Sequence, residues 1–287
     1  LYTFVKKPIL FPINRVLTMA NSRYEYVKLF ERENILLPET HLVIRVDGRG
    51  FHKFSDYYDF EKPNDEKALK VINMSARQMM VAFPDITLAY GDSDEYSFLL
   101  KKDCELFERR EFKLITTFAA TFTSYYQYFW TVVNPDKPLN VERLPSFDAR
   151  AVVYPNNGNV RDYFSWRQVD CHINNLYNTT FWNLVSKGGL TTQEAENRLM
   201  GTLSADKNEI LFTELGINYN NEPEMYKKGT TLVREIIDFP LNKYLEAPSK
   251  VNLERILKRG CKKKVIKEYN VDIIKDKFWD ERPYLLN

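Results

Sequence analysis

Two short stretches carry acids in a pattern suited to a divalent cation. In Ile86-Thr-Leu-Ala-Tyr-Gly-Asp-Ser-Asp-Glu-Tyr-Ser-Phe-Leu-Leu100, two apolar runs flank a tight polar turn that holds Asp92, Asp94 and Glu95. In His41-Leu-Val-Ile-Arg-Val-Asp-Gly-Arg-Gly-Phe51, Asp47 ends a second strand-like run. Mg²⁺ prefers hard oxygen ligands and keeps water and substrate phosphates in its shell, so two carboxylates from neighbouring strand ends suffice for it. With two ions, such a site activates a hydroxyl and stabilises a leaving pyrophosphate. Acids at strand ends and turns are also commonly just solvated. Spacing alone leaves both readings open.

Other groups fit a phosphate-handling site. Asp47-Gly-Arg-Gly-Phe-His52 has two glycines whose backbone N–H groups suit phosphate cradling, and it equally suits a plain tight turn. Lys62 precedes Pro63-Asn64-Asp65 at a helix start, and Arg110 and Lys113 stand three apart on one helical face. Cations there would offset triphosphate charge, or simply line a solvated face. Ser165-Trp-Arg-Gln-Val-Asp-Cys-His-Ile-Asn-Asn-Leu-Tyr-Asn-Thr-Thr-Phe-Trp182 sets Arg167, His172 and Asn175 among large aromatics. That composition suits RNA stacking and equally suits a core helix with internally bonded polar groups. Lys250 to Lys267 is the one strongly basic segment and reads as a phosphate contact, an import signal or a solvated surface.

The positioning elements follow from periodicity. Leu42–Val46 is a compact β-branched run and reads as a strand. Pro63-Asn-Asp opens a helix to about Phe83, with Ala68, Leu69, Ile72, Ala76, Met79 and Met80 at helical spacing. The hairpin follows, then a helix over roughly Glu105–Trp130 and a strand over Phe147–Tyr154. Strand, helix, strand, strand, helix, strand is the order of an α+β, ferredoxin-like or polymerase-palm sheet with helices on one face. A helical and extended C-terminal portion continues through Asn159–Val185, Thr191–Gly201 and Ser204–Leu215 to a late strand at Thr230–Ile237. A short helix is expected at Ser22–Arg32. The expected organisation is an extension over 1–18, a palm-like domain over 19–155 and a C-terminal helical region packed on it over 156–287.

The composition sets the bounds. The chain has 287 residues, 44% of them hydrophobic, with 41 basic and 39 acidic side chains. The near balance gives no global nucleic-acid signal, so any such signal is local. Three widely spaced cysteines, without a Cys-x-x-Cys pair, argue against zinc and against a disulfide framework. No apolar run is long enough to span a bilayer, so no membrane partner is expected. Residues 1–18 hold Lys6, Lys7 and Arg15 and no acid, as a mitochondrial presequence or a tag remnant would.

These stretches together resemble the tRNA-His guanylyltransferase family, in its eukaryotic, fungal-type branch. The likeness is carried by Arg-Val-Asp-Gly-Arg-Gly-Phe-His at 45–52, Lys-Pro-Asn-Asp at 62–65, Tyr-Gly-Asp-Ser-Asp-Glu-Tyr-Ser-Phe at 90–98 and the 165–182 helix. Asp-Lys-Asn-Glu-Ile-Leu-Phe at 206–212 and Asn-Tyr-Asn-Asn-Glu-Pro at 218–223 complete it. The resemblance implies a palm-like enzyme that adds one guanosine to the 5′ end of tRNA-His, in the 3′-to-5′ direction. ATP adenylylates the 5′-phosphate, the GTP 3′-hydroxyl displaces AMP, and pyrophosphate is removed. It further implies two Mg²⁺ ions on Asp47, the Gly48 carbonyl and Asp94, with Glu95 in a supporting catalytic role. GTP would lie against Asp47, Gly48, Arg49, Gly50, Phe51, His52, Ser93 and Asp94, and the triphosphate against Lys62, Asn64, Arg110 and Lys113. His172, Asn175, Lys207, Asn218 and Asn221 would serve the tRNA 5′ end or its activation. The family implies a homotetramer in the cytoplasm or nucleus, with a mitochondrial form if residues 1–18 are a presequence. A nucleotide cyclase, another palm-type polymerase and a non-catalytic tRNA-binding protein are the rival readings. Asp92 departs from the family pattern, and its role stays open.

Overall fold

The computed structural model describes residues 22–238 and 262–286. The chain separates into two units, 1–34 and 35–287. In the first, the helix expected at Ser22–Arg32 is a 3₁₀ turn, Glu25–Phe30, whose Lys28 pairs with Glu25.

The second unit is built on one antiparallel sheet. Its strands are β1 (His41–Gly48), β2 (Ile86–Asp92), β3 (Glu95–Leu100), β4 (Phe147–Tyr154), β5 (Thr230–Asp238) and β6 (Lys262–Tyr269). They lie in the order β4-β1-β3-β2-β5-β6. Leu42, Val43, Ile44 and Val46 are all buried, as expected for a strand covered on both faces. The even residues pack into the first core, with α2 (Glu66–Ala82) and α3 (Glu111–Val133). Asp65 caps α2 by accepting from the Ala68 N–H at 2.9 Å.

The opposite face is also covered. Val43, Leu88, Leu99 and Val233 pack against Val160 and Phe164 of α4 (Asn157–Ser186), and against Phe278 and Trp279 of α8 (Asp276–Asp280). The C-terminal portion therefore supplies both the second layer and the last two strands. Between α4 and β5 lie α5 (Thr192–Leu199), α6 (Ser204–Glu209) and α7 (Glu224–Lys228). A short α1 (Phe51–Tyr57) follows β1 directly. Among the described residues no helix is long and apolar enough to cross a membrane. Residues 250–261 of the basic stretch lie outside the described residues, as do residues 1–18. Lys262–Lys267 belong to β6, the edge of the sheet.

Candidate active site

The hairpin and β1 bring the acids together. Asp92 pairs across the turn with Glu95, leaving a two-residue tip of Ser93 and Asp94. Ser93 takes a positive φ of 52°, uncommon for a residue with a side chain. Asp47 lies opposite Glu95 in the β1–β3 register, and the Gly48 N–H donates to the Asp94 carbonyl at 3.0 Å. Gly48 has no room for a side chain. A Cβ there would meet the Phe51 ring at 2.4 Å and the Asp94 Oδ2 at 2.9 Å. Glycine thus lets β1 pass directly under the Asp94 carboxylate.

Burial and mutual repulsion mark this cluster. Burial pushes the Asp94 carboxyl up to about 6, with the charge of Asp47 adding to the effect. Burial pushes Asp92 up to about 7, opposed by a hydrogen bond from Cys171 and reinforced by Glu95, Asp94 and Asp170. A cation beside Asp47 and Asp94 would relieve the repulsion. Among the described residues no three His, Cys, Asp or Glu side chains are placed to hold an ion by themselves. Two carboxylates and a carbonyl are a donor set for a hard ion that takes its remaining ligands from water and phosphate.

Glu95 is engaged elsewhere. The Arg167 Nη1 donates to both of its oxygens, at 3.1 and 3.2 Å, and the Arg45 Nε lies 3.9 Å away.

A cavity of about 710 Å³ opens beside the acids. Its walls include Phe51, His52, Lys62, Asn64, Ser93, Asp94, Glu95 and Asn175, all expected from the sequence. Lys62 reaches Asp56 at 3.5 Å and sits 5.5 Å from the Trp182 ring centroid. Asn64 donates to Asn175 at 3.0 Å, Asn175 donates to the Tyr219 hydroxyl at 2.9 Å, and that hydroxyl lies 3.5 Å from the His172 Nδ1. His172, Asn218 and Asn221 are exposed beside this chain of bonds. Partial desolvation of its ring lowers the His172 pKa, and the charge of Lys227 lowers it further. The Lys207 Nζ donates to the Thr202 carbonyl at 2.8 Å and stands 6.0 Å from the Tyr177 ring, another cavity wall. Arg49 is exposed, with its N–H bonded to the Ser146 carbonyl, and Gly50 turns the chain into α1 at φ 65°.

Arg110 and Lys113 are not brought to this cavity. β3 runs away from the turn, so α3 starts at the far end of the sheet and reaches the cavity only at Tyr126. Lys113 to Tyr126 is thirteen residues of helix, roughly 20 Å at 1.5 Å per residue. Within one chain these two cations do not meet the Asp94 turn.

The chain matches the tRNAHis guanylyltransferase family model over residues 24–155 and the model of that family's C-terminal domain over 158–275. It belongs to the tRNAHis guanylyltransferase family. The tRNA(His) guanylyltransferase of Debaryomyces hansenii is 62% identical over 93% of this chain and all of that protein. The Saccharomyces cerevisiae enzyme is 55% identical over 76% of this chain and 92% of its own length. The crystal structure of tRNA(His) guanylyltransferase from S. cerevisiae superposes with a TM-score of 0.71 at 54% identity, covering 74% of this chain and 93% of that one. A bacterial tRNA(His) guanylyltransferase-like protein in complex with ATP shares the fold at 22% identity, with a TM-score of 0.66 over 92% of this chain and 96% of that one. This guanylyltransferase-family fold is palm-like, as the element order implies.

In this family member the acidic turn and the cavity floor come from the first matched segment, and α4 comes from the second. Tyr126 and Tyr226 also wall the cavity without any local sequence signal, and Asp170, Tyr177 and Trp182 of the 165–182 helix join them. Arg45 and its contact with Glu95 were also missed.

Proposed function

We propose that the chain adds a guanosine to the 5′ end of tRNA-His, with ATP and GTP as substrates and Mg²⁺ as the required ion. The observation that carries the reading is the meeting of Asp47 and Gly48 with the Asp94 turn, where Asp94 itself walls a cavity lined by aromatics and by Lys62. Asp47, the Gly48 carbonyl and Asp94 would hold two Mg²⁺ ions. Bound there, Mg²⁺ supplies charge to offset developing negative charge on phosphate oxygens and lowers the pKa of a coordinated hydroxyl.

The protein's own groups do the positioning. Phe51, His52 and Ser93 line the cavity next to the acids and would hold the GTP ribose and base. Lys62 and Asn64 face the same space and would hold the triphosphate, with Trp182 flanking Lys62. The tRNA 5′ end would enter past His172, Asn175, Lys207 and the Asn218–Asn221 loop. Its 5′-phosphate first attacks ATP, taking the adenylyl group and releasing pyrophosphate. Attack by the GTP 3′-hydroxyl on the activated phosphate then forms the new phosphodiester and releases AMP, and water cleaves pyrophosphate from the new 5′-triphosphate to leave a monophosphate. Residues 19–155 would carry the chemistry, and residues 156–287 would carry the tRNA contacts.

Arg110 and Lys113 fit a homotetramer. About 20 Å of helix separates Lys113 from the cavity of its own chain, so a triphosphate role for these two requires another copy. Mixing inactive Asp94→Asn subunits with inactive Arg110→Ala/Lys113→Ala subunits would then restore part of the activity. No recovery in mixed oligomers removes the two cations from the site.

The deciding assay uses labelled GTP, ATP and 5′-phosphorylated tRNA-His lacking the extra guanosine. A product one nucleotide longer at its 5′ end is expected. A cyclic nucleotide, or growth at the 3′ end alone, overturns the proposal.

A further inference from the structure

The polar face of α4 repeats every four residues. Tyr163, Arg167, Cys171 and Asn175 stack one turn apart, and each meets a different part of the catalytic half. Tyr163 and Ser97 share a hydrogen bond of 2.7 Å, Arg167 holds Glu95, Cys171 bonds Asp92, and Asn175 accepts from Asn64. Gln168, next to Arg167, ties the same helix to the Lys228 and Val271 carbonyls and to the Ile273 N–H. Arg167 is the one charged member of the stripe. Its side chain is 7% exposed, and it also lies 3.5 Å from Asp170.

Arg167 decides what Glu95 can do. Glu95 follows Asp94 and faces Asp47 across the β1–β3 register. Released, it would be a third carboxylate in reach of an ion at Asp47 and Asp94. Three carboxylates are enough for the protein to hold a divalent ion without substrate. Bound by both oxygens to one buried guanidinium, Glu95 is withheld, and phosphate oxygens must complete the shell.

We propose that Arg167 is a positioning residue that keeps Glu95 out of the cation shell and so makes ion binding depend on the nucleoside triphosphate. The proposal rests on the cation reading of Asp47 and Asp94 given above. It predicts that loss of Arg167 strengthens ion binding to the nucleotide-free protein while it slows the reaction.

The test is Mn²⁺ binding to the full-length protein, read by electron paramagnetic resonance with and without GTP. Wild type is expected to bind Mn²⁺ weakly alone and tightly with GTP, and Asp94→Asn to lose the GTP-dependent binding. Arg167→Met should bind Mn²⁺ about tenfold more tightly without GTP, because one unpaired carboxylate beside the ion is worth at least that much. Adding Glu95→Gln to Arg167→Met should erase the gain. Arg167→Lys keeps the positive charge but on a different, shorter head group, so it should show a smaller gain, roughly threefold, and covers the case in which Arg167→Met does not fold. In turnover, kcat should fall while the KM for GTP stays within a factor of about two. A purely structural role for Arg167 would not tighten ion binding. Unchanged nucleotide-free binding in the folded Arg167 variants overturns this inference alone. Failure of wild type to bind Mn²⁺ in an Asp94-dependent way overturns the cation reading and this inference with it.

Discussion

Two pairs of arginines at opposite ends of one sheet have opposite fates. At the foot, Arg109 spends its guanidinium on backbone carbonyls: Leu36 at 3.3 Å, Cys104 at 3.2 Å, Leu37 at 2.7 Å and Thr40 at 3.3 Å. Arg234, beside it, bonds the Ile86 and Met80 carbonyls. Burial lowers the pKa of both. At the head, Arg45 and Arg167 face the Glu95 carboxylate, and the Nε of each is buried without a hydrogen-bond partner. The foot has the larger cavity, about 1130 Å³ against about 710 Å³. Its guanidiniums, buried for Arg109 and half-buried for Arg234, are nonetheless already committed to the backbone. What separates the two ends is the saturation of buried polar groups, since native interiors leave few of them unpaired without a reason. The head carries unpaired guanidinium nitrogens and repelling carboxylates, and the foot carries a finished network.

The largest test of that contrast lies at the head. Asp94→Asn should reduce nucleotide addition by more than roughly a thousandfold, the scale of losing an essential charge-stabilising group. tRNA binding should survive, because phosphate contacts carry most of that affinity. The same variant should melt at a higher temperature than wild type when metal-free at neutral pH. The sign follows from linkage. The Asp94 carboxyl is raised from 3.8 to about 6 in the folded protein, so stability is lost as pH rises from the first value through the second. Above that window the ionised group costs on the order of 3 kcal/mol as an upper bound. A lower melting temperature for Asp94→Asn would show that the carboxylate is a structural group like those at the foot.

At the foot the expected effects are reversed. Arg109→Met removes the donor from four backbone carbonyls, three of them buried, and should cost about 3 kcal/mol or more of stability. The folded fraction should keep wild-type kcat. Urea midpoints with activity normalised to folded protein decide the matter, and a fall in kcat at full folding would extend the active region to the foot.

Part of this arrangement is legible in the sequence because it is local. β4 has the expected bounds, and the hairpin and β1 fall within two residues of theirs, since apolar alternation and turn residues fix them. The meeting of Asp47 with Asp94 follows once β1 and β3 are neighbours. The Arg167–Glu95 pair spans 72 residues, and nothing local to either residue announces it. Its trace is the four-residue rhythm of Tyr163, Arg167, Cys171 and Asn175, which an aromatic-rich helix hides. Arg110 and Lys113 show the converse. Their spacing suggests one helical face, whereas Arg110 is the N-cap of α3 and only Lys113 lies in its first turn; periodicity also does not tell which end of the axis meets the site. α1 and α8 leave no trace in the sequence because seven and five residues are too short for a periodic signal.

A smaller effect is set by protons. Ion binding at the head needs the Asp94 carboxylate, so apparent Mg²⁺ or Mn²⁺ affinity should be flat above the value of about 6 and fall as pH drops through it. The fall should approach roughly tenfold per pH unit where one proton competes with one ion. Titrations in GTP between pH 5 and 8 measure it, given as roughly a one-log change per unit on the acid limb. An affinity independent of pH would place the ion away from Asp94.

The smallest effect concerns the basic run, and it also turns on position in the sheet. Lys262, Lys263 and Lys264 are exposed on β6, which ends the strand order. Successive side chains of a strand point to opposite faces, so Lys262 and Lys264 share one face and Lys263 takes the other. Three consecutive lysines therefore do not make one patch, and at most two can meet the same RNA strand. Lysines on an edge strand have a second use, since they discourage pairing with the edge of another sheet. Lys262→Ser with Lys264→Ser should shift the salt dependence of tRNA binding by no more than about two phosphate contacts, and Lys263→Ser alone by about one or none. These substitutions should leave kcat within a factor of about two, because β6 lies two strands from β2, the nearer strand of the Asp94 hairpin. A slope change for Lys262 and Lys264 that Lys263 does not share would give RNA one face of the edge. Equal slopes with increased self-association, read by light scattering, would make the run a guard of the edge and leave tRNA contact to the α4 side of the molecule.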